Sequence, residues 1–204
     1  MRHASVWLIV GVMLLWAGVA GAAEHNLNNL LHGDYAFTGT GSCLSTLDGF
    51  NPDLTPIPSA AGGPWTSSWS VQGVATFNGD GTGTRHGRDV SITHVDRPYF
   101  AGNASSEDWE TAFTYTVTSP TTFTTELSGL LTGTFLTGSR VGQTYTVDRI
   151  PLTGMISHDT NTLTLATDEP TVETKRFSTG EVHYEICHRS RVYFRLQKAN
   201  EPRD

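Results

Sequence analysis

Charge is scarce in this chain, cysteine scarcer, and beyond the first residues no long apolar run occurs. Lys, Arg, Asp and Glu make up 16% of the 204 residues, against about a quarter in an ordinary soluble domain. With plentiful glycine and threonine, this excludes a charge-laced helical chain and points to exported β structure. Basic clusters are missing and the formal net charge is −7, which argues against nucleic acid and anionic membrane surfaces as partners. The two cysteines form no Cys-x-x-Cys, which argues for a structural disulfide over the alternative of two free thiols or a redox pair. No Gly-x-Ser-x-Gly occurs, and the glycine-rich turns lie between strand patterns rather than before helices, which removes the hydrolase elbow and the phosphate loop. His86, His94, His183, Glu185 and His188 offer metal-ligand atoms, but their spacing fits no metal motif; no cofactor is expected.

The N-terminus holds the one extended apolar feature. Arg2 and His3 lead into the run Val6 to Val19, and Ala20-Gly21-Ala22-Ala23 follows. A basic lead, a short apolar core and a small-residue cleavage site constitute a secretory signal, and the run falls short of the ~20 residues of a spanning helix. The expected units are a signal over 1–23, one domain over 24–198 and a polar tail over 199–204. The protein is then secreted or periplasmic, with no integral membrane span after cleavage. In that oxidising setting an even cysteine count favours a Cys43–Cys187 disulfide, which sets the first strand beside the last.

Period-two alternation dominates the remainder. It marks strands near 34–43, 65–76, 82–96, 109–118 and 121–131. Shorter ones follow near 132–136, 143–150, 152–158 and 162–167, and an edge strand is expected within 169–179. Asn78-Gly79-Asp80-Gly81 and Asp159-Thr160-Asn161 read as hairpin turns. The segment 24–32 suits a short helix or turn plugging one end, and 44–64, rich in proline, suits a long loop. The resulting fold class is all-β, a single antiparallel barrel of about eight to ten strands, with a β-sandwich as the alternative.

The stretch Glu181–Gln197 organises this reading. Val182, Tyr184, Ile186, His188, Ser190, Val192, Phe194 and Leu196 share one face, expected to be internal. His183, Glu185, Cys187, Arg189, Arg191, Tyr193, Arg195 and Gln197 share the other, expected to be a charged exterior. At ~3.3 Å per residue the stretch is long for one strand, so a bend, a bulge or two strands are expected. Cys187 then lies on the charged face while Cys43 lies on the aromatic face of its own strand. A glycine bulge at Gly39 or Gly41, or the bend in the last strand, would reconcile them.

Gly33-Asp34-Tyr35 opening the first strand, with Arg195 near the end of the last, resembles the calycin pattern of lipocalins, in which Gly-x-Trp packs against a late arginine; here Tyr35 stands for the Trp. Tyr35-x-Phe37, Trp69 and 75–83 are also similar to small exported bacterial β-barrel proteins of the lipocalin or allene-oxide-cyclase type. The resemblance implies a closed barrel with an apolar cavity.

Two sets of candidate residues follow. Trp69, Phe77, Phe113, Tyr115, Tyr184 and Phe194 would line an interior that binds a small hydrophobic molecule. His94 and His188, with Asp96, fall in phase with apolar residues and would serve as acid and base if the barrel were an isomerase or cyclase. A structural or adhesion sandwich is the third reading, and oligomeric state is left open. An outer-membrane barrel is disfavoured by Arg189, Arg191 and Arg195 on the presumed outer face.

Overall fold

The computed structural model describes residues 26–60, 62–94 and 103–197. The expected signal over 1–23, the candidate Asp96 and the expected tail over 199–204 lie outside the described residues. The described chain is all-β apart from one 3₁₀ turn, Leu27–Leu30.

Eleven strands form one antiparallel sheet: β1 (His32–Thr46), β2 (Trp65–Asn78), β3 (Thr82–His94), β4 (Ala104–Ser119), β5 (Thr122–Leu127), β6 (Leu131–Phe135), β7 (Thr144–Val147), β8 (Leu152–Ile156), β9 (Thr162–Ala166), β10 (Val172–Phe177) and β11 (Val182–Arg195). Strands β1 to β4 pair in order, and β1 pairs again with β11, so the sheet closes on itself. The gap between β4 and β11 is bridged twice. At one end β5, β8 and β9 fill it; at the other, β6, β7 and β10 do. Two rings of eight strands therefore share β1–β4 and β11, and every strand is paired on both sides. Closure removes the exposed edges on which sheets aggregate. The segment expected as an edge strand, within 169–179, is β10, held between β7 and β11.

Strand β11 is one continuous strand. Its length is absorbed by a change of partner: Val182–Ile186 pairs with β10, and Ser190–Phe194 pairs with β9. No bulge is needed to align the cysteines, because Cys43 and Cys187 are direct partners across β1 and β11 and form the disulfide. The correction lies in the phase of β11. His183, Cys187, Arg189, Arg191 and Tyr193 are buried, while Phe194 is 53% exposed. The charged face is thus the interior face. Strand β3 is inverted in the same way: Arg85 is buried and Asp89 half-buried, whereas His86, Val90, Ile92 and His94 point outward.

The end closed by β5, β8 and β9 is filled. Tyr35, Phe77, Phe113, Tyr115, Phe123 and Tyr193 are fully or almost fully buried there. Their rings meet edge-on around Phe77, at 5.3 Å to Tyr35, 5.2 Å to Phe113 and 5.1 Å to Tyr115, a geometry that aligns ring edges with ring faces. Leu31, just after the 3₁₀ turn, is wholly buried, and the Tyr115 hydroxyl donates to its carbonyl at 2.7 Å. The turn plugs this end.

Space for so many rings comes from glycines facing them across the ladder. Gly41 pairs with Trp69, Gly73 with Phe37, Gly83 with Phe113, Gly87 with Trp109, Gly133 with Tyr145 and Gly154 with Phe123. A Cβ at Gly133 would lie 2.2 Å from Tyr145 Cζ, and one at Gly87 2.7 Å from Trp109 Cζ2. Each ring lies over the backbone of its partner strand, in the volume that a side chain there would take.

Candidate functional site

The other end, walled by β6, β7 and β10, is polar inside. Two adjoining cavities of about 80 Å³ each lie there and share Ser67, Ser91, Glu107, Lys175 and Glu185. The inner one adds Trp69, Asp89, Trp109, Tyr145, Arg189 and Arg191. The outer one adds Trp65, Phe135, Arg140, Phe177 and His183. Each is several times the minimum for one water, yet well below the ~300 Å³ at which drug-sized sites begin.

Alternation explains how charges reach this space. Arg85, Gly87, Asp89 and Ser91 share the inner face of β3, and His183, Glu185, Cys187, Arg189 and Arg191 that of β11. Most of the charges are partnered. Arg189 grips Glu173 through both guanidinium nitrogens, Nη2 at 2.6 Å from Oε2, and both residues are buried. Lys175 stands 3.5 Å from Glu107 and 3.9 Å above the Tyr145 ring, with Phe135 and Phe177 close by. Arg191 lies among the faces of Phe37, Trp69 and Trp109, between 5.4 and 5.9 Å from each. These contacts combine a flat cation with flat rings.

Asp89 accepts a 2.7 Å hydrogen bond from Trp109 Nε1. Burial pushes its carboxyl up to about 6, against the opposing pull of that bond and of Arg191. Burial, with Glu107 nearby, holds the Tyr145 phenol well above its ordinary value. His183 sits edge-on to Trp65 and Phe177, at 4.8 and 4.6 Å. Burial lowers its pKa, although Glu181 Oε1 is 2.6 Å from its Nε2. Chemically the site offers cations, carboxylates, hydroxyls and indole faces along two adjoining, partly open cavities.

The sequence-derived candidates are divided by this arrangement. Trp69 lines the inner cavity. Phe77, Phe113 and Tyr115 are packed in the filled end and line neither cavity. Tyr184 and Phe194 belong to the outward face of β11. His94 is exposed and bonds Ser68 Oγ at 2.8 Å, and His188 is exposed beside Ser42. The two histidines therefore face solvent rather than the interior.

Asp89, Glu107, Lys175, Glu185, Arg189 and Arg191 were not among the candidates. For Glu185, Arg189 and Arg191 one signal was present in the sequence: Cys187 shares their phase on β11, and a disulfide to Cys43 on the aromatic face requires both sulfurs to point the same way. The cluster Cys43, Glu185 and Cys187 has metal-like spacing, but its sulfurs are joined to each other. A larger depression, an open groove of about 810 Å³ on the outer surface, holds the solvent-exposed Arg88–Asp108 pair, and none of its polar lining residues is buried.

No protein-family model, no curated protein and no solved structure matches the chain.

Proposed function

We propose that this is an exported binding protein that takes a small molecule into the polar end of its closed sheet. One observation carries the reading: a partly open cavity bounded by Trp69 and Trp109 also presents Asp89, Glu107, Glu185, Lys175 and Arg191. Such convergence of a few polar groups with aromatic walls is the general form of a ligand site. The volume and lining select a compact ligand with hydrogen-bonding groups and one flat face, rather than the wholly hydrophobic molecule that strand patterning implies. The disulfide supports export, since such bonds persist in oxidising compartments. Arg195 lies over the Tyr35 ring at 5.4 Å and donates to the His32 carbonyl at 2.8 Å, which supports the calycin reading of the Gly-Asp-Tyr opening.

The test is native mass spectrometry of protein isolated from the exported fraction, beside a Trp69→Leu variant. A co-purifying small molecule, released on denaturation and depleted in the variant, is the expected result. A wild-type protein that is ligand-free and whose tryptophan emission ignores a library of small polar compounds would sink the reading.

Asp89 favours a second reading, an isomerase- or cyclase-type reaction. A carboxyl titrating near 6 inside a cavity suits a general acid or base, and it takes the role first given to His94 and His188. Asp89→Asn should then still bind the co-purifying molecule but leave it unconverted.

A further inference from the structure

Arg85 is a buried cation with no carboxylate paired to it among the described residues. It is 3% exposed, and Nε, Nη1 and Nη2 all lack a hydrogen-bond partner. Its guanidinium lies 4.4 Å over the Phe113 ring. The groups whose charge it feels are the Tyr193 hydroxyl and two further cations, Arg191 and Arg189. Arg189 is neutralised by Glu173. Arg191 forms no ion pair among the described residues, and its Nε lacks a partner, as does the Tyr193 hydroxyl. Two cations and the Tyr193 hydroxyl thus face one another at the junction of the filled and polar ends; Asp89 draws on Arg191 and the neutral Tyr193 oxygen is the nearest acceptor, but among the described residues no carboxylate balances Arg85. A buried, unpaired guanidinium is strongly unfavourable, and charge-assisted hydrogen bonds to an anion relieve it.

We propose that a compact monovalent anion, a halide or a carboxylate of formate or acetate size, binds between Arg85, Arg191 and the Tyr193 hydroxyl. Arg191 lines the inner cavity, whereas Arg85 borders only an open outer groove that also carries the carboxylate of Glu110 and repels anions, so the anion enters past Arg191 and has to be small. The inference rests on charge balance and stands whether or not the cavity holds a larger ligand.

The experiment uses the full mature chain in halide-free buffer, with ionic strength held constant by sodium gluconate, an anion too bulky for the site. Sodium chloride and sodium acetate are titrated separately while the thermal midpoint is read. A saturating rise is expected, reaching about 5–10 °C at a hundred-fold excess over the dissociation constant. It should vanish in Arg85→Met, and in Tyr193→Phe the half-saturating concentration should rise about tenfold, the loss of one hydrogen bond to a charged group. Tyr193→Phe preserves shape and serves if Arg85→Met does not fold. Saturation by chloride alone identifies a free halide site, and tighter saturation by acetate identifies a carboxylate subsite of the cavity. A rise that never saturates and persists in Arg85→Met would mean general salt effects and overturn the proposal. So would the absence of any rise. In that case the ultraviolet band of a phenolate at neutral pH would show Tyr193 itself to be the counter-charge, and its absence would leave Arg85 solvated by water.

Discussion

At Asp89 burial outweighs every contact that favours the charged form, which gives the molecule a defined response to pH. An acid whose pKa rises on folding, here from about 3.9 to about 6, favours the folded state only while protonated. Its contribution is complete below about pH 4 and is lost as the pH rises through about 6. Two units correspond to about 3 kcal/mol. Asp89→Asn keeps an acceptor for Trp109 and has no charge to desolvate. Urea denaturation between pH 4 and 7 should show the variant gaining on the wild type by up to about 3 kcal/mol at the upper end. Parallel curves would show that Asp89 ionises freely in the fold. At this scale the sequence was least legible. Asp89 and Arg85 stand among Gly83, Gly87, Val90 and Ile92, and hydropathy counts the valine and isoleucine as internal although they are the solvent side.

Among the elements, β1, β2 and β4 were readable because their apolar residues fall in a single phase. Tyr35 and Phe37, Val71 and Phe77, and Phe113, Tyr115 and Val117 all face inward. Strands β3 and β11 were not, for the same physical reason at both: each borders the polar cavity, so its inner face carries charge and its outer face is left with spare hydrophobics. Two substitutions, one on β11 and one on its neighbour β10, separate the faces. Phe194→Thr, on the exposed side, should change stability by no more than about 0.5 kcal/mol in chemical denaturation. Glu173→Gln on β10 leaves Arg189 buried and unpaired and should cost about 3–5 kcal/mol. Replacing both partners, as Glu173→Leu with Arg189→Met, should recover most of that loss. If the Phe194 change proves the costlier, the assignment of faces is wrong.

For the whole molecule, closure depends on partners far apart in the chain: β1 meets β11, and Cys43 and Cys187 are separated by 144 residues. The loop-entropy account assigns such a bond about 4–5 kcal/mol. The Cys43→Ala, Cys187→Ala pair should lose up to that amount in denaturation midpoints converted to free energy; an unchanged midpoint would show that the ladder alone holds the seam. The closed antiparallel sheet was legible from alternation and turn signals, but its double wall was not. Each of β5, β6, β7, β8, β9 and β10 has four to six residues, and strands that short say nothing of which end of the sheet they join. The glycines that face aromatic rings around both rings of strands carry a consequence for how this sequence can change over generations. Because the ring occupies the space of its neighbour's missing side chain, the members of each pair are not independent sites. A glycine there accepts a side chain only after the facing ring has shrunk, and a shrunken ring leaves a hole until the glycine grows. The order of substitution is thereby constrained, most plainly at Gly133, where the three nearest atoms all belong to the Tyr145 ring; at Gly41 the His188 carbonyl, 2.7 Å away, holds the glycine in place as well.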